Sequence, residues 1–257
     1  MTRQLLEVSQ LHRAFGGLVA VSELSFHVTD GEVVSIIGPN GAGKTTAFNL
    51  ITGVYPPTGG SIHFRGSQVS GMALHKVTDL GIGRTFQNLR IFPNLTVRDN
   101  VLVGMTRKNK ASMLTACLRL PAFGREEARL NAEADRLIDL LELRQVESQL
   151  ARNLPYGNQR RVEIARALAS DPALLLLDEP AAGMNPAEIE ELNNLIRRLR
   201  DEFGKTILIV EHHMSLVMEI SDRIIVMDQG RKIAEGTPSE VRESPLVVRA
   251  YLGAGMV

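Results

Sequence analysis

The stretch that most narrows what this chain can fold into is Gly38-Pro39-Asn40-Gly41-Ala42-Gly43-Lys44-Thr45-Thr46. Its spacing, G-x-x-x-x-G-K-T, is that of a phosphate-binding loop. The flanks agree: Glu32 to Ile37 reads as a short buried strand, and Thr45 to Thr52 as a helix with Gly53 at its C-terminal cap. Glycines let the backbone curl so that successive N–H groups face a triphosphate, and the helix N-terminus adds a favourable dipole. Lys44 is placed to reach the β- and γ-phosphates, and Thr45 to offer its hydroxyl to Mg²⁺. A glycine-rich turn with an incidental lysine is the bland alternative, and the strand, loop, helix order weighs against it. Binding of ATP or GTP is the working expectation.

The chain has 257 residues, 44% of them hydrophobic, enough for one large α/β domain or a core with an inserted lobe. Lys+Arg and Asp+Glu both number 29, so net charge gives no reason to expect nucleic acid as a partner. Cys117 is the only cysteine, which excludes an internal disulfide and points to a reducing compartment. The apolar run Ala173 to Leu177 falls far short of the roughly 20 residues a membrane span needs. Arg3 and Glu7 around Leu5 and Leu6 do not make a signal peptide. The expectation is a soluble chain that meets a membrane only through a partner or its surface.

Residues 5 to 31 alternate apolar and polar, broken at Phe15-Gly16-Gly17 and Asp30-Gly31, which predicts short antiparallel strands. A turn at Thr58-Gly59-Gly60 and a strand at Ser61 to Arg65 follow. From Met105 to Phe123, Arg107, Lys108, Lys110 and Arg119 are mixed with Met113, Leu114, Leu118 and Leu120, and a longer helix is expected over Arg125 to Leu143. That segment reads as a helical lobe whose basic face is either solvated or turned to lipid headgroups. Beyond it, helix and strand alternate as in a parallel sheet covered on both sides. Strands are expected at Ala173 to Leu177, Thr206 to Val210 and Arg223 to Met227, and helices at 158–170, after Asn185-Pro186, and at Met214 to Ile220.

Leu174 to Leu177 end in Asp178 and Glu179, two carboxylates at the mouth of a buried strand, where open α/β sheets bind ligands. Paired with the phosphate loop, Asp178 suits a water-mediated hold on Mg²⁺ and Glu179 suits polarising an attacking water. No Asn-Lys-x-Asp guanine motif is present, which favours ATP.

With these pieces in order, the chain resembles the ABC transporter ATPases. Phe15 resembles the aromatic that stacks on adenine, with Val21 beside it; Gln87, in Arg84-Thr85-Phe86-Gln87-Asn88, resembles the glutamine that senses Mg²⁺ and the γ-phosphate next to the transmembrane partner. Leu154-Pro155-Tyr156-Gly157-Asn158-Gln159 sits where the family signature falls, Ala182-Gly183-Met184-Asn185 at the D-loop, and His212 where the switch histidine contacts the γ-phosphate. Pro155 and Tyr156 depart from the usual Leu-Ser-Gly-Gly-Gln and Asn185 from the usual Asp. Pro155 has neither hydroxyl nor N–H, so a phosphate grip there falls to the N–H groups of Gly157 and Asn158 and to the Asn158 side chain.

Within that family, Leu-Pro-Tyr-Gly, Glu-His-His-Met-Ser-Leu-Val-Met and the tail Gly-Thr-Pro-Ser-Glu-Val are similar to the LivG-type subunit of branched-chain amino-acid importers. The resemblance implies an α/β P-loop NTPase fold: a mostly parallel core sheet, an N-terminal antiparallel β subdomain and an inserted helical lobe. It implies one ABC ATPase domain over 1–257, with a nucleotide-binding core at 1–87 and 166–257 and a helical signature lobe at about 88–165. It further implies ATP and Mg²⁺, transmembrane permease subunits, a paralogous ATPase as heterodimer partner, an extracytoplasmic solute-binding protein acting indirectly, and a peripheral place on the cytoplasmic face of the plasma membrane. Phe86, Leu89, Ile91 and Phe92 are expected to be partly exposed for a permease helix. The rivals are a urea or amide importer, a lipid exporter, and a non-transport ABC ATPase.

Overall fold

The computed structural model of the chain describes residues 3–106 and 121–253, so most of the basic segment expected at Met105 to Phe123 lies outside the described residues. The chain divides into two compact units, one made of residues up to Arg84 and from Ala173 onward, the other of Thr85–Pro172.

The first unit opens with β1 (Gln4–Phe15) and β2 (Leu18–Thr29), a hairpin of two 12-residue strands in place of the several short ones expected. The expected breaks at Gly16-Gly17 and Asp30-Gly31 are turns that bound β2, and the irregularities inside the strands are β-bulges: register shifts lie between Val8 and Leu11, and Gln10 and Glu23 take φ of 48° and 53°. After β3 (Val33–Ile37) and α1 (Lys44–Ile51) come β4 (Gly59–Phe64), β5 (Ser67–Gln68), α2 (Leu74–Asp79) and β6 (Ile82–Arg84). Strands β2-β1-β4-β5 make an antiparallel sheet. Gly59 and Gly60, read from sequence as a turn, belong to β4, where Gly59 pairs with His12 across the β1 bulge.

The second unit holds α3 (Val97–Gly104), α4 (Pro121–Leu140) and α5 (Tyr156–Leu168). Thr96 caps α3 in a reciprocal capping box with Asp99. Arg98 and Arg144 bind Asp135 and Glu147 together, so the start of α3, the second half of α4 and the segment after α4 are joined by one charge network.

Returning to the first unit, the chain runs through β7 (Leu174–Asp178), α6 (Pro186–Asp201), β8 (Thr206–Val210), α7 (Met214–Ile220), β9 (Arg223–Asp228) and β10 (Arg231–Gly236). Two helices, α8 (Pro238–Glu243) and α9 (Pro245–Gly253), follow. The α6 start is as the sequence predicts: Asn185 caps it, Glu188 closes the capping box, and Pro186 sits in the first turn. The core sheet has the order β10-β9-β3-β8-β7-β6, parallel except for β10. Every residue of β3, β7 and β8 is buried, which is why these strands read as continuous apolar runs. Among the described residues no helix is long and apolar enough to cross a membrane.

Candidate nucleotide site

Adjacent parallel strands β3, β8 and β7 are in register at their C-terminal ends, where Val210 pairs with Ile36 on one side and Asp178 on the other. The phosphate loop leaves β3, Glu179 follows β7, and Glu211-His212 follows β8. One edge of the sheet therefore carries three of the sequence-predicted groups, at the strand ends where such sheets take ligands.

The loop is shaped by glycine. Gly38 and Gly43 have φ of 151° and 95°, and a Cβ on either would stand 2.0 Å from Met227 O or 2.4 Å from Ala20 O. The first intrahelical bond of this turn runs from Ala47 N–H to Gly43 O (2.9 Å), so the N–H groups of Lys44, Thr45 and Thr46 lie ahead of it at the positive end of α1. Lys44 is 7% exposed, and its Nζ folds back to donate to the carbonyls of Gly38 (2.7 Å) and Pro39 (3.0 Å). Burial pushes its ammonium below the ordinary lysine value, while the nearby Glu179 charge partly opposes that. Carbonyl partners can be exchanged for phosphate oxygens, so the lysine is held ready to meet an anion.

Asp178 is buried, and its Oδ2 accepts a charge-assisted bond from Arg84 Nη2 at 2.8 Å. Arg84 Nη1 also donates to Asn49 Oδ1 and Thr52 Oγ1, both at 2.8 Å, which fixes the guanidinium between α1 and β7. A threonine hydroxyl and an aspartate carboxylate are hard oxygen donors, the ligand chemistry that Mg²⁺ takes with water completing its shell. Glu179 is half-buried with φ of 47°, a left-handed conformation that costs a non-glycine residue of order 1–3 kcal/mol. Its N–H donates to Val210 O at 2.8 Å. His212 is exposed, its ring 4.4 Å from that of His213.

On the β1–β2 hairpin, Phe15 is 39% exposed, edge-on to Tyr55 (5.3 Å between centroids), with the Arg13 guanidinium 4.6 Å from its ring centre. The structure places Val21, named with Phe15 in the sequence, on the inner side of this hairpin. Val21 is 0% exposed and packed into the apolar core, and the apolar side chains of this hairpin that face outward are Leu18 and Val19. The reason is that β2 dips under the core sheet's loop region at Ser22, whose N–H donates to Gly230 O at 2.8 Å.

Gln87, Gly157 and Asn158 belong to the second unit. Helix α5 begins at Tyr156 with Pro155 as its N-cap, and Gln159 N–H to Pro155 O (3.0 Å) is its first internal bond. The N–H groups of Tyr156, Gly157 and Asn158 thus form its positive end. Arg160, 0% exposed, donates to the carbonyls of Phe86 (2.9 Å) and Gln87 (3.2 Å) and pairs with buried Glu163 at 2.8 Å. Glu163 Oε1 accepts from the N–H groups of Phe86 and Arg90, both at 3.2 Å. Phe86, Leu89 and Ile91 are half-buried and Phe92 exposed.

The ABC transporter family model matches residues 21–182, which takes in the phosphate loop, the signature position and the Asp178-Glu179 pair. The chain belongs to the ABC transporter ATPases. A branched-chain amino acid ATP-binding cassette transporter model matches residues 231–256, the segment of β10, α8 and α9. The chain is similar to the high-affinity branched-chain amino acid transport ATP-binding protein BraF of Pseudomonas aeruginosa, at 46% identity over 98% of this chain and 99% of that protein. It is equally similar to LivG of Salmonella typhimurium, again at 46% with the same coverage. Among solved structures, the ADP conformation of an ATP-binding cassette of an ABC transporter superposes with a TM-score of 0.84 and 31% identity, covering 98% of this chain and 100% of that one. As an ABC ATPase, the chain binds and hydrolyses ATP. Two charged residues at the strand ends went unremarked in the sequence, Arg84 and Glu211. Each stands beside a residue that was singled out, and neither has a spacing signal, because what identifies them is which distant groups they touch.

Proposed function

We propose that this chain is the ATP-hydrolysing subunit of an importer of branched-chain amino acids. The observation that carries the reading is the 46% identity to BraF over nearly the full length of both chains. In this reading the phosphate loop, residues 38–46, cradles the triphosphate, Lys44 turns from the loop carbonyls to the β- and γ-phosphates, and Phe15 takes the adenine ring. Thr45 and Asp178 would hold Mg²⁺, which supplies charge neutralisation on the phosphates when bound. Glu179 orients and polarises the attacking water, and His212 contacts the γ-phosphate. Gly157 and Asn158 present their N–H groups to ATP held by a partner ATPase, a paralogous subunit, so that ATP favours the closed pair and hydrolysis reopens it. The nucleotide-binding core is assigned to 1–87 and 166–257 and the helical lobe to about 88–165. Permease subunits would dock at the half-exposed Phe86, Leu89, Ile91 and Phe92, with the chain peripheral on the cytoplasmic face and a solute-binding protein on the other side.

The test is ATPase activity of the purified complex of this chain with its permeases and paralogue, given candidate solutes with the binding protein. Stimulation by leucine, isoleucine or valine is expected. Stimulation by urea, an amide or a lipid in their place overturns the assignment.

A further inference from the structure

We propose that Glu211 is a positioning residue of the ATPase reaction, setting at once the turn that carries Glu179 and the segment that carries His212. The proposal rests on the reading of those two residues given above. Glu211 is fully buried at the end of β8, 0% exposed, and both carboxylate oxygens are committed. Oε1 accepts the Ala181 N–H at 2.8 Å. Oε2 accepts the N–H of His212 at 2.7 Å and of His213 at 3.0 Å, and His213 Nδ1 lies 3.0 Å away, placed to donate as the Nδ1–H tautomer. The residue's own N–H points to Ile36 O, at 3.4 Å, on the strand that feeds the phosphate loop.

A buried carboxylate is costly beside the apolar residues that fill β8, and it is tolerated only where donors converge on it. Here the donors come from two separate segments, the turn after β7 and the turn after β8. Glu179 holds a left-handed backbone, secured before the turn by its N–H to Val210 O and after it by Ala181 N–H to Glu211 Oε1. Such strain persists only where the surroundings over-determine it. The same carboxylate gathers the main chain of His212 and His213, so one side chain spans the groups that flank the scissile phosphate in the proposed mechanism. Glu211, His212 and His213 are also close enough to share a metal ion. Two main-chain N–H groups already occupy Oε2, and the hydrogen-bond arrangement accounts for the cluster without an ion.

The experiment compares Glu211→Gln with wild type in the assembled complex, measuring ATP Kd, kcat and thermal midpoint. The amide keeps the shape but turns one acceptor into a donor, so it must face an N–H group with an NH₂. ATP affinity, set by the phosphate loop, stays within about threefold while kcat falls about 10- to 100-fold. Combined with Glu179→Gln or with His212→Ala, the variant's loss fails to multiply in at least one of the two pairs, because it acts through those residues. A kcat within about twofold of wild type with only a lowered midpoint, or losses that multiply in both pairs, overturns the proposal. Should Glu211→Gln not fold, Glu211→Asp, which keeps the charge and withdraws the carboxylate by one methylene, is read by the same criteria. Glu179→Gln and His212→Ala alone report on the underlying mechanism: if neither lowers kcat, that reading fails whatever Glu211 does.

Discussion

At Lys44, burial depresses the ammonium below its ordinary value of 10.5 and the Glu179 charge counters only part of this. In the proposed role phosphate oxygens favour the charged form, so ATP binding raises this pKa, and by linkage the complex takes up a proton wherever free Lys44 is partly neutral. The sign is definite: ATP affinity declines as pH rises, and the decline begins below 10.5. Calorimetric Kd values across the alkaline range, in buffers of differing ionisation enthalpy, check this; an affinity flat up to that pH counts against the phosphate role. Lys44→Ala should weaken ATP binding by roughly 10- to 100-fold, the worth of a charge-assisted hydrogen bond. Glu179→Gln is the complement. It should leave affinity near wild type and lower turnover by about 10²-fold or more, since in the proposed mechanism its carboxylate acts on water and not on the nucleotide's ground state. Turnover within a few-fold of wild type would remove Glu179 from that role.

Helix α5 shows what an altered signature can still do. Pro155 at its N-cap supplies no side-chain cap, yet the N–H groups of Tyr156, Gly157 and Asn158 remain at the helix end. Gly157→Asp places bulk and negative charge there and should abolish ATP-driven transport while the chain still binds ATP; Pro155→Ser should be mild. Normal transport by Gly157→Asp would exclude this helix end from nucleotide contact. Deeper in the helix, Arg160→Met should cost about 3–5 kcal/mol in stability by leaving Glu163 buried without its counter-ion. Removing both, as Arg160→Met with Glu163→Leu, should cost less than the single change, a comparison that denaturant melts decide. The legibility of these elements in the sequence follows their burial. Strands β3, β7 and β8 are buried along their whole length, and α6 carries its own cap, so local pattern sufficed. The three-residue β6 was invisible because Gly81 and Gly83 break any period, and its strand state comes only from pairing with β7. The full burial of Val21 was illegible for a related reason: alternation marks the strand, but which of its residues lies against Gly230 is a tertiary fact.

Across the first unit as a body, Arg223 joins elements far apart in the sequence. From β9 it binds both oxygens of Glu32 beside β3 (2.8 and 3.0 Å), donates to His27 O on β2 at 2.7 Å, and pairs with Glu235 on β10. Both sheets of this unit are therefore tied to one guanidinium. For Glu32, burial alone would raise the carboxyl pKa, but Arg223 and the Thr29 N–H more than offset it, so the folded value lies below 4.5. Glu235 behaves alike, burial being outweighed by Lys232 and Arg223. A depressed folded pKa means stability that is complete above the unfolded value of 4.5 and is lost as pH falls through the folded one. Wild type should accordingly lose stability on acidification below about that pH. In Arg223→Met the desolvation of Glu32 is left unopposed by the guanidinium, which favours the protonated acid in the folded state. That variant should be less stable at neutral pH by about 1–3 kcal/mol, and acidification through the carboxylate range should narrow its deficit relative to wild type. Urea midpoints of both proteins between neutral and acid pH decide the matter, because a deficit that is constant with pH would mean that Arg223 contributes packing and not charge.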